Sequence, residues 1–289
     1  MTGEAPPARV GVLGGGRMGG GIAHAFLLAG SEVVVVDQPQ ALDRAADGIR
    51  RALDRSLELG STGRPRQQLL DALRVTDDAS ALADRDLLIE AVPEQPELKA
   101  DALARVSGLI HPDAVLATNT SSLSIDALAA AVAHPGRFLG LHFFNPVPSS
   151  QLVEVVRGGA TADAVVATAQ GWVSALGKTP VTVADSPGFA SSRLGLVLAL
   201  EAMRMLEQGV ASAADIDAAM TLGYRHATGP LRTSDMVGLD VRLDIAEYMH
   251  AQLGDRFAPP QLLRDMVTAG KLGRKSGQGF YSWPTGEDQ

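Results

Sequence analysis

The chain has 289 residues, with 25 lysines and arginines against 33 aspartates and glutamates for a net charge of −8; 46% of its residues are hydrophobic and 20% charged. That balance excludes disorder for the bulk of the chain, and the acidic sign argues against a surface built for nucleic acid or anionic lipid. With no cysteine, disulfides, thiolate metal sites and thiol nucleophiles are excluded, and no metal site is expected.

After a polar tail over residues 1–8, Arg9 to Leu13 reads as a short apolar strand that runs into GGGRMGGG, and Ile22 to Ala29 reads as an apolar helix ending at Gly30. Glu32 to Val36 is a second buried strand, closed by Asp37, which completes a βαβ unit. Leu42, Ile49, Leu53 and Leu57 recur at helical spacing up to Gly60, Gly63 and Pro65, and a further helix is expected to about Leu73. Leu87 to Ala91, Val115 to Thr118, Phe138 to Leu141, Leu152 to Val156 and Pro180 to Val183 read as strands, with helices expected over 94–109, 123–132 and 162–176. Alternation of this kind implies a parallel, doubly wound sheet.

The pattern changes at Asp185, Ser186, Pro187 and Gly188. Beyond it no convincing strand is expected, and Ala190 to Gln208, Ala213 to Leu222, Leu231 to Leu253 and Gln261 to Val267 read as helices. The expectation is an α/β domain over residues 1–185 and an all-helical domain over 186–289, ending in a loose WPTGEDQ tail. There is no internal repeat or low-complexity segment. The opening MTGEAPPARV lacks a basic and apolar leader, and no run reaches the ~18 apolar residues of a membrane span, so no membrane association is expected and the expected location is the cytoplasm.

Gly14, Gly16 and Gly19 form GxGxxG between a strand and a helix. The first allows a tight turn, the second lets a pyrophosphate approach the backbone, and the third lets the helix pack on the strand. Met18, in the same turn, is placed with them in the cofactor site. The helix N-terminus offers N–H groups and partial positive charge to phosphates. Asp37, ending the second strand, suits an adenosine ribose and repels a 2′-phosphate, so NAD is expected over NADP and the first domain is Rossmann-type.

Oxidation of an alcohol by a nicotinamide needs a proton acceptor, a role that suits histidine. Of six histidines, His111 and His134 precede prolines at helix ends, and His24 and His250 lie within helices. His142 follows the strand Phe138 to Leu141, at a carboxyl end where a doubly wound sheet places its ligands, although a packed or capping role is equally open. Glu154 lies within the apolar run QLVEVV, where an unpaired carboxylate is costly to bury. The loop HFFNPVPSSQ is short enough to fold the chain back so that Glu154 meets His142; the other reading has Glu154 pointing to solvent from an edge strand.

GGGRMGGGIA, VVVVDQ, IEAVPEQPELK, TNTSSLSI, GLHFFNPVP, LVEVV, LGKTPV, DSPGF, GYRHATGPL, DMVGLD and GRKSGQGFY together resemble the NAD-dependent 3-hydroxyacyl-CoA dehydrogenases, in order and spacing, over nearly the whole chain after residue 8. The resemblance is particularly to the short bacterial 3-hydroxybutyryl-CoA dehydrogenases. The resemblance implies that His142 is the acid–base residue, Glu154 its electrostatic partner, and Ser121 a hydrogen-bond donor to the substrate 3-oxygen close to the nicotinamide. Ser121 also reads as an N-cap for a helix starting near Leu123, a role open to Ser122. Glu94 and Lys99 match cofactor-contacting positions and otherwise read as solvated charges on an acidic helix. Lys275 matches a lysine near the cofactor and otherwise reads as a basic tail residue.

Three positions depart from the family pattern. Ser192 stands where the family often has a catalytic-site asparagine, HPMGP becomes His226, Ala227, Thr228, Gly229, Pro230, and the lysine often offered to coenzyme A after Asp37 has no match. Arg50, Arg51, Arg55 or Arg64 can replace that charge. The implied reaction is reversible oxidation of an L-3-hydroxyacyl-CoA by NAD, as in fatty acid metabolism. Alternatives are the same chemistry on an acyl-carrier-protein thioester or a free hydroxy acid, and a non-catalytic dinucleotide-binding protein. Apolar stripes through Leu194, Val197, Leu198, Leu200 and Met205, and through Val237, Val241, Ile245 and Met249, add to the resemblance in implying a homodimer through the helical domain.

Overall fold

The computed structural model describes residues 5–284 and divides into two compact units, Met1–Ser186 and Pro187–Gln289. The first half of the N-terminal tail and the end of the WPTGEDQ tail lie outside the described residues.

The first unit is built on one eight-stranded sheet. In chain order its elements are β1 (Arg9–Leu13), α1 (Arg17–Ala29), β2 (Glu32–Val36), α2 (Leu42–Glu58), α3 (Arg66–Asp71), β3 (Leu73–Thr76), β4 (Leu87–Glu90), α4 (Pro96–Ser107), β5 (Val115–Thr118), α5 (Ile125–Ala129), β6 (Phe138–Phe143), β7 (Leu152–Arg157), α6 (Asp163–Ala175) and β8 (Thr179–Ala184). The strand order β3-β2-β1-β4-β5-β6-β7-β8 puts the reversal of winding between β1 and β4, the crevice where such sheets bind ligands. Runs such as VVVV in β2 and LLI in β4 are buried throughout because helices cover both faces of a wound sheet. Val12, Ile22, Phe26, Val35, Ile89, Leu139 and Val155 belong to one continuous core.

Several expectations change here. The helix over GGGRMGGGIA begins at Arg17, well before Ile22, so three glycines of this segment are helical. LRVT, which begins at the Leu73 where a helix was expected to end and for which no strand was expected, is the edge strand β3, paired with β2 from Leu73↔Val33 to Thr76↔Val36. Its half-exposed pattern carries little apolar signal. The sheet is not wholly parallel: β6 and β7 pair antiparallel, while every other neighbouring pair is parallel. The short β6–β7 loop requires this, since a parallel return needs a long crossover.

The second unit contains α7 (Ser191–Glu207), α8 (Ala213–Ala218), α9 (Pro230–Val237), α10 (Leu239–Leu253) and α11 (Gln261–Thr268). Among the described residues beyond β8 there are only isolated bridges, Gly273↔Gln278 and Gln278↔Ser282. The single helix expected over Leu231 to Leu253 is two, broken at Gly238, whose φ of 106° a helix cannot hold. Val237 and Val241 therefore lie on different helices and the expected stripe through them is interrupted. Leu196, Leu200, Met203, Leu231, Leu239, Met249 and Leu263 form this unit's own core.

No described helix is long and apolar enough to cross a membrane.

Candidate active site

At the carboxyl ends of β1, β2, β4, β5 and β6 the first unit opens into a cavity of about 1140 Å³. Gly14, Gly16, Met18, Asp37, Glu94, Lys99, Ser121 and His142 all line it. The walls also include residues not singled out from the sequence, among them Arg17, Arg44, Asn119, Phe144 and Asn145. Asn119 and Asn145 belong to the TNTSS and HFFNP motifs, which was the available signal.

The glycine turn fits a dinucleotide pyrophosphate. Gly14 has a φ of 96°, a side chain at Gly19 would collide with the Gly14 carbonyl, and one at Gly16 would meet nothing within 4 Å, so the backbone there faces open space. Gly16 caps α1 without a side-chain bond, and no acid occupies the first turn, leaving its N–H groups and dipole for an anion. One carboxylate oxygen of Asp37 accepts from Gly15 N–H at 2.7 Å and the other from Gln38 N–H at 2.7 Å. That tie places the carboxylate at the tip of β2, beside the turn.

His142 is not beyond its strand but within it, because β6 continues to Phe143. The antiparallel register sets His142 opposite Glu154, so both side chains emerge on one face, and His142 Nδ1 lies 2.7 Å from Glu154 Oε2. The residues are 5% and 1% exposed. β7 lies between β6 and β8, so the edge-strand reading of Glu154 is excluded. Beyond Thr118, β5 no longer pairs with β6. There the Asn119 side-chain oxygen accepts from Phe143 N–H at 2.8 Å, replacing the missing ladder bond next to His142. The loop between His142 and Glu154 is held by Lys178, whose Nζ donates to the carbonyls of Val147 and Ser150 at 2.6 and 2.5 Å.

Ser121 is not the cap of the next helix. α5 starts at Ile125 and is capped by Ser124, whose hydroxyl accepts from Ala127 N–H. Ser121 instead donates its N–H and hydroxyl to Glu94 Oε1 at 2.8 and 3.2 Å, and Thr120 donates its hydroxyl to the same oxygen at 2.6 Å. Burial raises the Glu94 pKa, but the Lys99 charge and these hydrogen bonds outweigh it and hold the carboxyl below its ordinary value. Glu94 precedes α4, and Lys99 is only 1% exposed, so neither is a solvated charge on a helix face.

Two further candidates lie in the second unit. Ser192 occupies the first turn of α7, and Lys275 follows α11, with its Nζ 2.5 Å from Asp240 Oδ2. Lys275 is thus tied to a specific carboxylate rather than loose in a tail.

The chain matches the description "3-hydroxyacyl-CoA dehydrogenase, NAD binding domain" over residues 9–186 and "3-hydroxyacyl-CoA dehydrogenase, C-terminal domain" over residues 188–283. The chain belongs to the 3-hydroxyacyl-CoA dehydrogenase family. It is an NAD-dependent oxidoreductase. The dehydrogenase is 45% identical over 280 residues to 3-hydroxybutyryl-CoA dehydrogenase of Mycobacterium tuberculosis, covering 95% of this chain and 98% of that protein. It is 40% identical to 3-hydroxybutyryl-CoA dehydrogenase of Bradyrhizobium diazoefficiens, covering 95% of each. The crystal structure of (S)-3-hydroxybutyryl-CoA dehydrogenase from Ralstonia eutropha superposes with a TM-score of 0.92 at 38% identity, covering 96% of this chain and all of that one.

Proposed function

We propose that this dehydrogenase interconverts an L-3-hydroxyacyl-CoA and the 3-oxoacyl-CoA, with His142 as acid–base and Glu154 as its electrostatic partner. The observation that carries the reading is a buried imidazole on the cavity wall, 2.7 Å from a buried carboxylate. Glu154 at Nδ1 orients the ring and stabilises the imidazolium that forms when His142 takes the substrate hydroxyl proton. When bound, NAD supplies the hydride acceptor. Gly14, Gly16, Met18, Gly19 and the α1 N-terminus would hold its pyrophosphate, Asp37 its adenosine ribose, and Glu94, Lys99 and Lys275 are assigned to the cofactor as well. Ser121 holds the 3-oxygen, and Ser192 is assigned to the catalytic set. In reduction His142 returns the proton. The relatives' names favour a short acyl chain, and we infer that residues 1–185 carry most of the cofactor contacts while 186–289 serve chiefly the acyl group and dimer contact. Absorbance of NADH with acetoacetyl-CoA, longer 3-oxoacyl-CoAs and carrier-protein thioesters tests the reading; turnover confined to carrier-bound or free acids would overturn the coenzyme A assignment.

A further inference from the structure

Glu90, the last residue of β4, is a fully buried carboxylate that ends an otherwise apolar strand. Its oxygens meet only donors: Val92 N–H at 2.6 Å and Lys99 Nζ at 2.8 Å on Oε1, and the Thr118 hydroxyl at 2.6 Å on Oε2. A carboxylate, which only accepts, matches this set of partners. Lys99 in turn donates inside the protein to Glu90 and to the Val92 carbonyl at 3.1 Å, and it pairs with Glu94 Oε2 at 3.3 Å. Lys99 joins the two carboxylates, so buried Glu90 reaches the cavity wall through Lys99 and Glu94. Two carboxylates around one ammonium leave one negative charge.

The cluster also has a defined place along the sheet. Asp37 sits at the tip of β2 and the glycine turn follows β1, so a dinucleotide laid across the reversal of winding has its second half over the ends of β4 and β5. Val92, Glu94 and Ser121 line the cavity there. The nicotinamide ring is cationic in NAD+ and neutral in NADH, and it is the only part of the cofactor whose charge changes.

We propose that Glu90, Lys99 and Glu94 form a net-negative cluster that makes this cavity favour the oxidised over the reduced cofactor, with Glu90 and Lys99 as positioning residues that set the charge and orientation of Glu94. The proposal rests on the dehydrogenase reading above. It differs from a purely structural role for the three residues in predicting a signed effect on one ratio, that of the Kd for NAD+ to the Kd for NADH, while packing damage weakens both ligands alike.

Isothermal titration of the full-length protein with NAD+ and with NADH separates these. Glu90→Gln keeps the shape, removes the net charge, and raises the ratio by roughly 3- to 10-fold, the size expected for one unit charge acting through a partly screened cavity. Glu94→Gln removes the same charge at the cavity wall, where folding is not at stake, and moves the ratio in the same direction. Lys99→Met removes a positive charge, keeps the cluster negative, and leaves the ratio at or below that of the parent. Equal ratios in the parent, Glu90→Gln and Glu94→Gln, with both nucleotides still binding, would overturn the proposal, as would a Lys99→Met ratio raised as far as that of Glu90→Gln. Failure of the parent to bind either nucleotide would overturn the cofactor reading itself.

Discussion

His142 and Glu154 reach one another because they are directly opposed in an antiparallel pair, and the same pairing sets what their loss should do. His142→Gln removes the proposed proton acceptor but leaves the glycine turn and Asp37 intact, so kcat should fall by ~10²-fold or more while NADH affinity stays within about twofold. Stopped turnover assays beside nucleotide titrations check this, and unchanged kcat would remove His142 from the mechanism. Glu154→Gln should lower kcat less, because the amide still orients the ring while its charge is gone. Asp37 carries a second residue-scale prediction. Its carboxylate holds the Gly15 and Gln38 N–H groups, so Asp37→Ser should weaken NADH binding and also raise NADPH use relative to NADH, through loss of repulsion toward the 2′-phosphate. An unchanged ratio of kcat/KM for the two cofactors would place Asp37 away from the ribose.

At the scale of elements, α1 has to lie close to β1 for its N-terminus to face the cavity, and its other side is fixed against α2 by a buried histidine. His24 is 1% exposed and its Nε2 lies 2.9 Å from the Ser56 hydroxyl. Burial pushes its pKa below the ordinary 6.5, with the Lys178 charge adding to the shift. In the folded protein the neutral ring is favoured, so the unfolded chain binds the extra proton first on acidification. Stability from this group is complete above pH 6.5 and is lost as pH falls from there toward the lower folded value, by at most about 1.4 kcal/mol per pH unit. His24→Gln should therefore flatten the fall in stability as pH drops below about 6.5, read from urea unfolding at each pH. Parallel curves for parent and variant would show that His24 titrates alike in both states.

For the whole molecule, the second unit carries exposed aliphatic side chains that its own core does not cover. Leu194 is 68% exposed, Met236 51%, Val237 43% and Val241 39%. Isolated exposed apolar residues are ordinary, but this many in one small helical unit favour an isologous contact between copies. Sedimentation equilibrium at micromolar protein should give a mass near twice the 30.1 kDa of the chain, independent of concentration. Leu194→Glu should shift that mass toward the monomer. A stable, active 30.1 kDa species in the parent would exclude the dimer.

Local signals in the chain determined the βαβ start, the glycine turn, Asp37, the helical character of the second half and the family motifs, because strand alternation, helical spacing and turn glycines are encoded within a few neighbouring residues. Pairing across the sheet is not local, and there the tertiary structure decided. LRVT became a strand only because β2 offers it an edge, β6 ran on through His142 because β7 folds back against it, and Gly238 broke a helix that apolar spacing alone would continue. Lys99 shows the limit most clearly. Its spacing on an acidic helix suits a solvated charge, yet Glu90 at the end of β4, the Val92 carbonyl and Glu94 before the helix converge on it. A buried charge is stable only with partners, and those partners are assembled by the sheet rather than by the sequence around the residue.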